Sequence, residues 1–514
     1  MRVKSVLKNS YYSIVSYSII FILGLISRKV FLYYFSTEFL GYEGIFNNIF
    51  ALLSLAEMGI TSTITYNLYR EVANKNTIEI SKLMRLYRLI YMGIGFFSTL
   101  IGIILFPFLR FIITDNVLNW SYISYIYGFQ LLALIINYFL SYKRILFVVS
   151  QMDFVCIKID VTISIFASIT KILVIILTQN YLIYLSINIL QNFLSNLFVS
   201  IKYSKVFKIE NKVTISKEDA KKWNIFKDIK NLSIHKIAGL IYGSVDSITI
   251  SIMLGINAVG LFANYFMIVS QVNMIFSKFT NPLIPSIGNL IHSNDKEMSE
   301  HFDLFKSLDL LFFFIGSFIF ISLFIIFQTF IEIWLGNKYI LPLSFVFFLS
   351  LNSYIVWAQA TVGYYRNAFG NYELDRKYMI LSAVTNLVFS IVLTYYFGIA
   401  GIMIGTVIGH LFIWFGRIKV VFGVFLKTSF KEYLLTQLYQ ILLVLLELGI
   451  IYYFASFFPI SFYGLIVRII LSLLVPNLCN YLIFYKSRRF VLINKYVEIS
   501  FGILKQMSKK RHTI

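Results

Sequence analysis

The sequence predicts an all-α integral membrane protein of about 14 transmembrane helices, built as two pseudo-symmetric six-helix lobes plus two C-terminal helices. Three observations carry this expectation. Fourteen apolar stretches run along the chain, each near the roughly 20 residues a helix needs to cross a hydrocarbon core of about 30 Å. Lys and Arg gather in every second gap, as they do in short loops retained in the cytoplasm. A short pattern also recurs 216 positions apart, as a duplicated lobe would leave it.

The first stretch, 11–34, follows Arg2, Lys4 and Lys8, which sets the chain start in the cytoplasm. It is too long for a signal-peptide core, lacks a small-residue cleavage site and is read as a retained helix. The second, 40–69, ends on a cationic gap holding Arg70, Lys75, Lys82 and Arg85. The third and fourth, 87–112 and 119–141, form a hairpin whose exit carries Lys143 and Arg144. The fifth and sixth, 152–178 and 180–203, complete an N-terminal lobe over 1–203.

The interval 204–235 holds eight lysines and reads as a basic cytoplasmic linker, with an amphipathic segment around Trp223 and Phe226 on the membrane surface. A C-terminal lobe, 236–425, contains helices at 236–255, 258–288, 308–333, 339–364, 377–397 and 398–416. Pro282 and Pro285 are expected to bend the second of these. Helices at 433–457 and 460–485 form an appended, peripheral pair over 426–485, and 486–514 is a basic cytoplasmic tail. In all, 37 of the 45 Lys and Arg lie at the chain start or in and beside the even-numbered gaps, against Lys338 alone in the odd-numbered ones. Both termini are therefore expected in the cytoplasm.

The repeat joins 44–50 (GIFNNIF) to 260–266 (GLFANYF), and the same offset carries Leu177 and Thr178 onto Leu393 and Thr394. Composition excludes a soluble class, because 59% of residues are hydrophobic and 13% charged, where soluble domains average about 25% charged. The net charge of +21 is dispersed over small cytoplasmic patches, so nucleic acid is set aside and attraction to anionic bilayer lipids remains. Cys156 and Cys479 have no partner at metal-ligand spacing and read as small core residues.

Ionisable side chains inside a bilayer cost roughly 2.5–3.5 kcal/mol each, so they face a cavity or a partner. Arg28, Lys29, Lys171 and Lys278 are the candidate substrate-binding cations, spread over four helices of both lobes. Snorkelling to headgroups competes with this reading for Arg28 and Lys29. Asp246 and Glu57 are the candidate acids, pairing with cavity cations or binding a coupling ion, H⁺ or Na⁺. Glu447 and Arg468 are expected to pair with each other on the appended helices. No catalytic set, metal spacing or Walker A loop is present, so the expectation is a transporter without a cofactor and not an enzyme.

Residues 40–50 (LGYEGIFNNIF) and 55–60 (LAEMGI) resemble the start of helix two in polysaccharide flippases. These are the Wzx-like branch of the multidrug/oligosaccharidyl-lipid/polysaccharide (MOP) exporter superfamily. Residues 398–406 (GIAGIMIGT) resemble that family's Gly-rich turn into helix twelve. The resemblance implies a flippase of O-antigen, capsule or exopolysaccharide biosynthesis in the bacterial cytoplasmic membrane. It would move undecaprenyl-pyrophosphate-linked oligosaccharide from the inner to the outer leaflet by alternating access. A polysaccharide polymerase and chain-length machinery are the implied partners. The arginine cluster on helix one of peptidoglycan-precursor flippases is reduced here to Arg28 with Lys29, and multidrug exporters usually stop at twelve helices. A polymerase or glycosyltransferase of the same pathway is the rival from another class, disfavoured by outer gaps of about ten residues or fewer.

Overall fold

The structure is a computed structural model. It describes residues 2–113, 118–207, 209–210, 213–216, 245–281, 283–284, 287–288, 298–369 and 373–494, without the side chains of 2–17, 55–59, 62, 279 and 298–300. The described residues are helical almost throughout, and no strand occurs among them. In hydrocarbon no water satisfies stray backbone N–H and C=O groups, and the α-helix satisfies them within one segment.

The helices are α1 (Arg2–Tyr34), α2 (Thr37–Leu53), α3 (Leu55–Ala73), α4 (Thr77–Leu105), α5 (Trp120–Leu140), α6 (Asp153–Thr178) and α7 (Tyr181–Val206). Then come α8 (Val245–Leu254), α9 (Ile256–Thr280), α10 (Met298–Leu335), α11 (Leu343–Ala358), α12 (Ala360–Phe369), α13 (Arg376–Phe397), α14 (Ile399–Val420), α15 (Lys431–Ser456) and α16 (Phe462–Phe484). Ten spans among the described residues are long and apolar enough to cross a membrane, eleven if the bent α11–α12 pair is one span. The remaining three expected stretches fall on α1, on the α2–α3 pair and on α8.

Three details depart from the expected elements. The stretch 40–69 is broken at Ser54, whose hydroxyl turns back to the Ala51 carbonyl at 2.7 Å. The cationic gap 70–86 is mostly helix, with only 74–76 between α3 and α4, because Asn76 caps α4 by accepting from the Glu79 N–H. The stretch 339–364 bends by 42° at Gln359. Pro282 and Pro285, residues 217–235 of the linker with Trp223 and Phe226, and residues 236–244 of the stretch 236–255 lie outside the described residues. The linker's first part runs along α4, where the Glu210 N–H donates to Ser81 at 3.1 Å and Arg85 donates to the Val213 carbonyl.

The chain folds as two compact units, Met1–Asn264 and Tyr265–Ile514. In the first, α6 packs on α1 and α7, α5 on α7 and α4, and α3 on α4. Its α6 turns Phe166, Ile169, Leu173 and Ile176 outward, the face that lipid would cover. A close crossing also forms here: a Cβ on Gly41 would meet the Ile256 carbonyl at 2.3 Å, and one on Gly260 the Thr37 carbonyl at 2.1 Å. Only glycine permits backbones to approach so closely.

In the second unit α10 is the central helix, packing on α11, α15 and α16, with Leu310, Phe312, Phe313, Phe320 and Ile321 buried. The α13–α14 hairpin is the tightest pairing. Gly398 turns it at φ +57°, and Cβ atoms on Gly401 and Gly405 would lie 2.2 Å from the Leu393 carbonyl and 2.4 Å from the Ser390 nitrogen. Across from them Ser382, Asn386, Ser390 and Thr394 recur every four residues, all buried. They bond across or along the hairpin, as Ser382 does to the Gly409 carbonyl at 2.8 Å and Asn386 to Thr406 at 3.0 Å. Small residues on both faces with interhelical hydrogen bonds are how membrane helices associate where lipid removes the hydrophobic drive.

Candidate functional site: a polar cavity in the N-terminal unit

The site begins with the α6–α7 hairpin. Gln179 adopts the left-handed conformation at φ +48°, and the Asn180 carboxamide caps α7 by accepting from the N–H groups of Leu182 (2.9 Å) and Ile183 (3.3 Å). The tight turn sets one antiparallel register, which brings polar residues of two apolar helices level in pairs. Residues 160, 164 and 171 share a face of α6, and 184, 191 and 195 share a face of α7.

Lys171 Nζ lies 5.7 Å from the Tyr184 ring centre and donates to Gln191 Oε1 at 3.1 Å. Gln191 Nε2 donates onward to Ser164 Oγ at 3.1 Å, and Ser195 Oγ donates to Asp160. From the turn after α5, Arg144 closes the ladder. Its Nη1 and Nη2 each donate to Asp160 at 2.8 Å, Nη2 also donates to Ser195 at 2.8 Å, and Nε donates to Asn196 at 2.8 Å. Four of the five guanidinium donors are thereby used. Asn196 passes a bond to Asn137 at 3.3 Å.

Asn137, Arg144, Asp160, Ser164, Gln191, Ser195 and Asn196, with Thr61, Thr65, Tyr87 and Tyr91 of α3 and α4, line a cavity of about 530 Å³, and Lys171 lies outside it. Among the described residues that line it, only Ile145 and Val148 lack a polar side-chain atom. Its wall on the α3–α4 side is set by the Thr61 hydroxyl, 3.2 Å from the Tyr87 phenol and 3.1 Å from that of Tyr91. Counting 1.5 Å per residue puts Asp160, Tyr87 and Thr61 about 10–18 Å along their helices from the Asp153, Thr77 and Ala73 ends, toward the side of the α3–α4 and α5–α6 connections.

Two of the predicted cations lie in this unit's interior. Lys171 is in the ladder and interacts electrostatically with Glu43. Arg28 Nη1 donates to Asn264 Oδ1 at 3.4 Å, and both Arg28 and Glu43 act electrostatically on Tyr181 and Tyr184. Lys29 is exposed on α1, and Lys278 belongs to the other unit, in the last turn of α9. Asp246 is buried on α8 beside the buried Ser247. The Glu57 side chain lies outside the described residues.

The expected Glu447–Arg468 pair is not formed. Arg468 instead donates to the carbonyls of Ala455, Phe458 and Pro459 at 2.9–3.2 Å, at the end of α15. The hairpin register sets it level with Ala455, two turns beyond Glu447. A helix C-terminus leaves carbonyls without intrahelical partners and attracts cations.

Sequence reasoning missed Arg144, Asp160 and Glu43 in the first unit. In the second it missed Asp375, which receives Arg366 and, at 3.4 Å, Arg417, and Asp309, which accepts from Gln437 at 2.9 Å and Gln440 at 3.5 Å. One signal was present: Asp160, Ser164 and Lys171 fall at helical spacing within one apolar stretch.

No protein-family model matches the sequence, and no curated protein matches it. Among solved structures, the fold is that of MOP superfamily transporters. The lipid II flippase MurJ, in an inward closed conformation, superposes with a TM-score of 0.63 at 17% identity, over 93% of this chain and 99% of that one. An inward-facing multidrug resistance MATE family transporter gives 0.59 at 14% identity, over 80% and 94%. A mutant of the Vibrio cholerae MATE transporter VcmN gives 0.58 at 13%, over 82% and 98%. At these identities the likeness is one of fold.

Proposed function

We propose that this protein is a lipid-linked oligosaccharide flippase, moving undecaprenyl-pyrophosphate-linked repeat units from the inner to the outer leaflet by alternating access. The observation that carries the proposal is the shared fold, which takes in 93% of this chain and 99% of the lipid II flippase. The multidrug transporters take in less of this chain, 80% and 82%. Chemistry supports the same reading. A pyrophosphate needs fixed cations, which Arg28, Lys171 and Lys278 would supply, while the prenyl tail stays in lipid. With the positively charged gaps taken as cytoplasmic, the polar cavity of the N-terminal unit would face the cytoplasmic half of the bilayer.

The test is reconstitution in vesicles carrying undecaprenyl-pyrophosphate-linked oligosaccharide in the inner leaflet only. Protein-dependent arrival of the sugar at the outer leaflet, read by an externally added lectin, is the expected result. Vesicles in which the sugar stays inaccessible while the protein is folded would overturn the proposal.

A further inference from the structure

We infer that the cavity of the N-terminal unit is a binding subsite for an uncharged, polyhydroxylated ligand segment: the neutral sugars of the transported molecule, seated apart from its phosphates. The inference rests on the proposed function for the source of the ligand, while the chemistry of the site is read from the cavity itself.

Charge excludes the alternatives. Among the described residues lining the cavity, the charged ones are Arg144 and Asp160, bound to each other through two 2.8 Å hydrogen bonds. Arg144 has spent four of its five donors on protein, so a phosphate would find no fork to bind. Both Asp160 oxygens accept from the guanidinium, and one also accepts from Ser195, so a cation would have to displace an arginine. Apart from Ile145 and Val148, the remaining described lining is hydroxyl, carboxamide and phenol. Such groups donate and accept in equal measure, which matches a sugar's hydroxyls and neither sign of ion.

The lining also leaves capacity for a guest. Among the described residues the Asn192 carboxamide and the Ser141 hydroxyl make no side-chain hydrogen bond, and Asn137 uses only its oxygen, accepting from Asn196. Asn137 and Ser141, one turn apart on α5 and the turn that follows it, and Asn192 on α7 offer this capacity from two walls. About 530 Å³ lies within the roughly 300–1,000 Å³ of ligand-sized pockets.

The experiment uses the full-length protein in lipid nanodiscs and a panel of free neutral mono- to trisaccharides of hexose and N-acetylhexosamine, with inorganic pyrophosphate as competitor. Saturation-transfer NMR should show a neutral sugar binding, and Asn192→Ala and Ser141→Ala should each weaken it about tenfold, the loss of roughly one hydrogen bond. Lys205→Ala, at the exposed end of α7, should leave it unchanged. Neither variant at the site removes a side-chain hydrogen bond within the described protein, and thermal melting checks that folding is preserved. Pyrophosphate that displaces the sugar, binding insensitive to both variants, or no binding by any member of the panel would each overturn the inference. Binding of free sugar needs no transport. Vesicles that fail to flip would overturn the proposed function and leave this subsite standing, while flipping unimpaired in Asn192→Ala, with no sugar bound, would overturn the subsite alone.

Discussion

At the scale of single residues, the buried Asp375 receives Arg366 and Arg417, with the first two side chains 0% and 3% exposed. Removing one member of such a pair strands the other charge, at a cost of about 3–5 kcal/mol. Asp375→Ala should therefore lower the melting temperature in detergent sharply. The Arg366→Met/Asp375→Leu/Arg417→Met triple variant should melt closer to the wild type than Asp375→Ala does, and equal or worse melting would show the cluster to be net stabilising. Arg28 and Lys171 carry a functional expectation. Arg28→Ala with Lys171→Ala should reduce surface polysaccharide at unchanged membrane abundance, with Lys171→Arg better tolerated because the position of charge matters more than its shape. Unaltered export would assign both to structural pairing. Asp246→Asn should weaken the dependence of vesicle transport on a proton or Na⁺ gradient, and a variant equally gradient-sensitive would make that acid structural. Depth alone singled out Lys171 and Asp246 in the sequence. Arg144 was not legible, because a cation beside a cytoplasmic gap satisfies the positive-inside pattern whether or not it folds back onto an acid.

Among elements, the α13–α14 hairpin shows how much a local pattern can say. The glycines of 398–406 were visible as a motif, and the structure supplies the reason: Gly401 and Gly405 bring backbone against backbone. Gly405→Ala should destabilise by about 1–3 kcal/mol, the range for overpacking, because the added methyl would sit 2.4 Å from the Ser390 nitrogen. Gly449→Ala on α15, with nothing within 4 Å, is the matched control and should melt unchanged or slightly higher. Similar melting for the two variants would mean that the hairpin relaxes. Helix breaks were the least legible elements. Ser54 and Gln359 interrupt stretches with no Pro nearby, so hydropathy passes straight through them. Helix ends beyond the bilayer were hidden too, since α3 and α4 continue as amphipathic helix where charge suggested a loop.

For the whole molecule, hydropathy and charge alternation read the fold class well, because a bilayer imposes length and sidedness on every span. The polar cavity was beyond that reading. It depends on which residues of five elements fall at one level, and register is set by turns such as Gln179–Asn180 that a hydropathy window averages away. The sidedness itself is testable. In a variant with Cys156 and Cys479 replaced, a cysteine at Lys338 should react with a membrane-impermeant maleimide added outside intact cells, and one at Lys427 should react only after permeabilisation. The reverse labelling would invert the topology.

The closed ion pair of Arg144 and Asp160 has an electrical consequence. Moving one elementary charge across a membrane potential is worth about 2.3 kcal/mol per 100 mV. A cavity whose wall charges cancel within 2.8 Å moves no net wall charge when its access changes. Voltage therefore does no work on that wall. A current recorded during turnover would report charge on the cargo, or on groups outside this cavity such as Lys171 and Asp246, and neutralising Arg144 together with Asp160 should leave its size per transported molecule unchanged.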